Sequence, residues 1–139
     1  MITATLHTDG GARGNPGPAG IGFVLRIKGR ETVFHSAFIG EATNNQAEYT
    51  ALQEGLRRAL QDGVTHLQCF LDSELVVKQL AGEYRVKNEG LQPLYDKVCS
   101  LVSEFEKVSF EHIPRERNKE ADKLVNRALD KAMKSRRKM

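Results

Sequence analysis

No apolar run in this 139-residue chain approaches the ~18 to 20 residues that a membrane-spanning helix needs, which excludes membrane insertion. The start, Met1-Ile2-Thr3-Ala4-Thr5-Leu6, lacks the basic opening, long apolar centre and small-residue cleavage site of a secretory signal, so a cytoplasmic location is expected. Cysteine is scarce. Cys69 lies in an apolar run and Cys99 in an amphipathic one, with no CxxC or Cys/His spacing around either. Buried free thiols in a reducing compartment are the expectation; a bridge between them depends on a Cα separation that sequence does not give. Internal repeats and low-complexity segments are absent too, which leaves one compact domain of residues 1–133 and a basic tail of residues 134–139. The net charge of +3 is small, yet Lys131, Lys134, Arg136, Arg137 and Lys138 crowd the C-terminus. They suit a polyanionic partner, but taken alone they read more simply as the solvated, negative end of a helix.

What is present is periodicity. Ile2, Ala4 and Leu6 alternate with polar residues, predicting a strand that delivers Asp9 to its carboxyl end, in a glycine-rich turn running to Pro18. Two further strands are expected over residues 19–28 and 31–39, joined by a hairpin turn at Lys28-Gly29-Arg30. Thr43 or Asn44 offers an N-cap for a helix closing near Asp62-Gly63, with Leu52, Leu56, Ala59 and Leu60 as its apolar stripe. A strand over residues 66–71 is followed by Asp72-Ser73, which can cap a helix over residues 74–81. Residues 82–90 read as a loop, residues 91–105 as a helix, and Val108, Phe110 and His112 as a strand stopped by Pro114. A final helix begins at Asn118. The order β-β-β-α-β-α-α-β-α implies an α/β fold: a five-stranded mixed sheet, an antiparallel meander plus two parallel strands, with helices on both faces.

If the crossover helix returns the chain beside the first strand, Asp9 and Asp72 end neighbouring strands only ~5 Å apart. That edge is where open α/β sheets bind ligands. Glu48, one turn before Leu52, falls on or beside the sheet-facing side of its helix, and Asp122, one turn before Val125, borders the last helix's apolar stripe. Singly, each acid reads as a turn residue, a cap or a solvated helix position. Jointly they form four clustered carboxylates, which repel one another or call in cations, and all-oxygen ligands favour Mg²⁺ or Mn²⁺ over Zn²⁺.

Thr8-Asp9-Gly10-Gly11 with Gly14-Asn15-Pro16-Gly17-Pro18, Thr43-Asn44-Asn45-Gln46-Ala47-Glu48, Leu71-Asp72-Ser73 and Asn118-Lys119-Glu120-Ala121-Asp122-Lys123-Leu124 occur in that order. Together they resemble type 1 ribonuclease H over nearly the whole chain. The resemblance implies a ribonuclease H-like fold and an endonuclease that cuts the RNA strand of RNA/DNA hybrids, leaving 5′-phosphate and 3′-hydroxyl ends; a monomer is the simplest expectation. Asp9, Glu48, Asp72 and Asp122 would hold two Mg²⁺ ions, replaceable by Mn²⁺, one activating a water and the other stabilising the departing 3′-oxygen. By the same resemblance, contacts to RNA map onto Arg13, Gly14, Asn15, Asn44 and Asn45, and a DNA-phosphate pocket onto Thr43 and Asn88.

Two departures stand out. Only residues 82–90 occupy the place where many relatives insert a basic, Trp-containing helix, and the chain has no Trp. A histidine that many relatives carry before the final aspartate is missing; Arg115, Glu116 or Arg117 is the expected substitute. His7 and His35 read as ordinary strand residues. Three other readings stay open: a non-cleaving hybrid- or duplex-binding module, a DNA-cutting nuclease of the same superfamily, and the ribonuclease H portion of a larger polymerase. Four intact acids argue against the first, Thr43-Asn44-Asn45 before Glu48 against the second, and Met1 with no trailing linker against the third.

Overall fold

The computed structural model describes residues 1–137. Its five-stranded sheet has the order β3-β2-β1-β4-β5, with β1 Thr3–Ala12, β2 Gly17–Ile27, β3 Val33–Ala42, β4 His66–Leu71 and β5 Lys107–His112. β1, β2 and β3 form the antiparallel meander, while β4 runs parallel to β1 and β5 parallel to β4. The helices are α1 Asn44–Gln61, α2 Glu74–Leu80, α3 Gln92–Val102 and α4 Lys119–Arg137; a short 3₁₀ turn, Arg115–Arg117, precedes α4. Among the described residues no helix is long and apolar enough to cross a membrane.

β1 outruns its expected end. Its parallel pairing with β4 stops at Thr8↔Leu71, but its antiparallel pairing with β2 continues through Asp9↔Gly22 to Ala12↔Ala19. Gly10 and Gly11 are therefore strand residues, not the turn that their composition suggested. At Gly10, and at Gly22 of β2, the lack of a side chain serves helix approach. A Cβ on Gly10 would run into the Ala47 backbone of α1, and one on Gly22 would lie 2.6 Å from the Ala121 carbonyl of α4. β3 likewise runs three residues further than expected, past a bulge opposite Ala19/Gly20 where Gly40 adopts a φ of 80°. α3 ends at Val102, three residues early, because Glu104 and Phe105 donate to the carbonyls three back and tighten the last turn.

α1 starts as its sequence dictates. The Thr43 hydroxyl accepts from the Gln46 N–H at 3.1 Å, and the Gln46 side chain accepts from the Thr43 N–H at 2.9 Å, a reciprocal capping box. Leu52 and Leu56 then bury against Leu6, Leu25 and Leu71, with Val76 of α2 and Val98 of α3 in the same core. Each such side chain contributes about 1.5 to 3 kcal/mol on leaving water. α4 covers the opposite face with Ala121, Val125, Ala128 and Leu129. It runs on through Arg137, so the backbone shows no break at residue 133; the side chains of Arg136 and Arg137, and all of Lys138 and Met139, lie outside the described residues. Both cysteines are free: Cys69 is buried as expected, whereas Cys99 is exposed, because α3 turns that flank to solvent.

Candidate active site

Three of the four acids arrive from separate elements at one sheet edge. Asp9 is the first β1 residue beyond the end of β4, and Asp72 directly follows β4, so the two stand side by side where the parallel pairing stops. Glu48 lies in the second turn of α1, brought down onto the sheet by the close approach that Gly10 permits. One oxygen from each of Asp9, Glu48 and Asp72 lies within 4.8 Å of the others. Asp122, from the first turn of α4, lines the same cleft of about 470 Å³ but stands outside that tight triad.

The electrostatics follow from burial. Asp9 is 4% and Glu48 7% exposed. Desolvation, then the neighbouring Asp72 charge, pushes the Asp9 carboxyl up to about 7. Burial, with the Asp9 and Asp72 charges, holds Glu48 well above the usual carboxylate range. The Gly10 N–H donates to Asp9 Oδ1 at 3.0 Å. Glu48 Oε2 is buried and has no hydrogen-bond partner among the described residues. Burying like charges this way is unfavourable unless something positive offsets them, and an all-carboxylate set fits a hard divalent cation.

Around the acids, the residues expected to touch nucleic acid form one connected rim. Asn44 Oδ1 accepts from the Ala12 N–H at 2.8 Å, and the Asn44 N–H donates to Asn15 Oδ1 at 3.0 Å. The β1–β2 turn, with Gly14 at a φ of 93°, is thereby tied to the start of α1. Both residues are exposed, and among the described residues no hydrogen bond engages either NH₂ group. The Arg13 guanidinium is engaged at 2.6 Å by Asp130, an exposed pair that tethers it toward α4. Asn45 lines the cleft. Asn88 accepts from the Gly90 N–H at 2.7 Å, and Gly90 packs against Gln46, which brings this loop beside the Thr43 cap.

Of the three candidates to replace the missing histidine, the structure places Arg115 at the cleft, while Glu116 and Arg117 are exposed on the 3₁₀ turn and do not line it. His112 is exposed within β5. His7 stacks on Phe70 and His35 on Phe23, both as strand residues. One residue beside the acids escaped the sequence reading: Asn118, expected only to begin the last helix, buries its side chain against Thr8 and Asp72. An asparagine before a helix signals a cap, and only the fold reveals that this one points into the sheet.

A family model described as reverse transcriptase-like matches residues 7–128. The bifunctional protein Rv2228c of Mycobacterium tuberculosis is 44% identical over 136 residues, which are 96% of this chain and 37% of that protein. The chain thus spans little more than a third of that relative. A protein named ribonuclease H from Saccharopolyspora erythraea is 35% identical, with 94% of this chain and 92% of that protein covered. Among solved structures, LC11-RNase H1 in complex with an RNA/DNA hybrid superposes with a TM-score of 0.87 at 44% identity, covering 94% of this chain and 99% of that one.

Proposed function

Because the chain belongs to the type 1 ribonuclease H family, we propose that it hydrolyses the RNA strand of RNA/DNA hybrids at the edge built from Asp9, Glu48, Asp72 and Asp122, leaving 5′-phosphate and 3′-hydroxyl ends. The carrying observation is the triad of carboxylate oxygens within 4.8 Å, two of its acids buried and one bearing an unpartnered oxygen. Bound there, divalent ions, Mg²⁺ or Mn²⁺ by the hardness of the ligands, would supply water activation and charge stabilisation at the scissile phosphate. The chain's own part is positioning. Asn15, Asn44 and Asn45 present amide groups to a 2′-hydroxyl, the group that separates RNA from DNA. Arg13 and Gly14 shape that turn, and Thr43 with Asn88 offers neutral donors to a DNA-strand phosphate. Arg115 supplies a cation at the cleft mouth, in the segment where many relatives carry histidine. A monomer in the cytoplasm, folded as one domain with a basic extension, completes the proposal.

The test is a gel assay with an end-labelled hybrid, and with double-stranded DNA and RNA as controls, in Mg²⁺ and then in a chelator. Metal-dependent scission confined to the hybrid's RNA strand is expected. A hybrid bound but left intact in both Mg²⁺ and Mn²⁺ would instead indicate a binding module.

The C-terminal basic segment gives a second expected result. Deleting residues 134–139 takes away Lys134, Arg136, Arg137 and Lys138. Hybrid binding should then weaken, and the slope of log affinity against log salt should flatten by about 0.9 for each phosphate no longer neutralised. Identical slopes for the full and shortened chains would show that the segment does not touch the substrate.

A further inference from the structure

Asn118 sits between the 3₁₀ turn and α4 and is 1% exposed. Its Nδ2 donates to Asp72 Oδ2 at 3.0 Å and to the Thr8 carbonyl at 2.9 Å. Its backbone N–H donates to the Arg115 carbonyl at 2.9 Å, and its own carbonyl accepts from the Asp122 N–H at 3.1 Å. One side chain thus joins a carboxylate of the site to the strand that carries Asp9, while its backbone starts the turn that carries Asp122. The amide has one workable orientation: reversed, its oxygen would face two acceptors. In that orientation Oδ1 is buried without a partner among the described residues. Such an orphan is unfavourable, and a leucine of similar size would avoid it. Packing alone accounts for neither the paired donation nor the orphaned oxygen.

We infer that Asn118 is a positioning residue, which fixes the Asp72 carboxylate against β1 and so sets the spacing of the acid cluster. This inference rests on reading that cluster as a metal centre. Hydrogen bonds to ligating carboxylates commonly govern metal affinity or activity by roughly 10- to 100-fold. Asn118 would act through Asp72 without touching the substrate.

The experiment compares wild type, Asn118→Leu and Asn118→Ser by calorimetric titration with Mn²⁺ in the absence of nucleic acid, by kcat and KM on a hybrid, and by thermal unfolding. Leucine removes the amide while filling its space; serine covers the case in which leucine fails to fold. Mn²⁺ affinity and kcat should each fall by roughly 10- to 100-fold, with KM within about twofold, because the Asn118 side chain is buried and bonds to Asp72 and Thr8, not to the residues assigned to hybrid contact. A folded variant whose Mn²⁺ affinity and kcat match wild type overturns the inference, and so does a lowered Tm with metal affinity intact. The wild-type titration separates the two levels of argument. If wild type itself neither binds Mn²⁺ nor cuts hybrid, the metal-centre reading fails; if it does both and the variants equal it, only the positioning role fails.

Discussion

Asp9→Asn is expected to abolish hybrid cleavage and, in metal-free protein, to raise stability. The loss of turnover should be roughly 10³-fold or more, the scale on which removing a central electrostatic group acts. The stability gain follows from the raised carboxyl. In the folded chain Asp9 titrates at about 7 against an ordinary 3.8. A carboxyl raised in this way favours folding below 3.8 and loses that contribution as pH rises through about 7. Asparagine keeps an oxygen for the Gly10 N–H and carries no charge to bury. Wild type and variant should therefore unfold alike near pH 4 and diverge above pH 7, the variant ahead by at most ~4 kcal/mol. Thermal melts from about pH 4 to 8 in a chelator read this directly. Adding Mg²⁺ should narrow the gap, since binding to the native state stabilises wild type by about 2.7 kcal/mol at a hundredfold excess over Kd. A variant that cuts at the wild-type rate ends the assignment of Asp9; melts that stay parallel across the pH range end the account of its burial.

Gly10→Ala should be strongly damaging for a change of a single methyl group. The new Cβ meets the Ala47 carbonyl carbon and oxygen and, at 2.7 Å, the Glu48 backbone nitrogen, all backbone atoms that cannot rotate aside. Overpacking commonly costs ~1 to 3 kcal/mol where side chains can yield, and here the start of α1 has to lift from β1. Glu48 moves with it. The expected result is a stability loss at or above that range, together with weakened metal binding even at temperatures where the variant is folded. Gly29→Ala is the comparison: a Cβ there meets nothing within 4 Å, though its φ of 83° is itself unfavourable to alanine. If Gly10→Ala proves no worse than Gly29→Ala in stability and metal affinity, the close approach of α1 is not what places Glu48.

The order of elements, the β4 limits, the Thr43 and Ser73 caps and the place of Asp72 at the end of β4 were legible in the sequence, because each depends on contacts within a few residues: alternation, a side chain reaching the third N–H onward, a proline stopping a strand; Asp9, expected at the end of β1, lies within it. The glycines misled for the same reason. Local chemistry equates Gly10-Gly11 with a turn, yet the backbone there stays paired with β2, and at Gly10 the absent side chain leaves the space that α1 occupies.

Only the tertiary structure decided that Asp9, Glu48 and Asp72 bring oxygens within 4.8 Å while Asp122 stands at the rim, that Arg115 alone of its turn reaches the cleft, and that Asn118 is a strut rather than a cap. Those outcomes depend on residues as many as 110 positions apart in the chain. Sequence determines which groups are available and on which faces they begin. Their distances, burial and proton affinities are properties of the packed sheet edge, where desolvation and neighbouring charges act together.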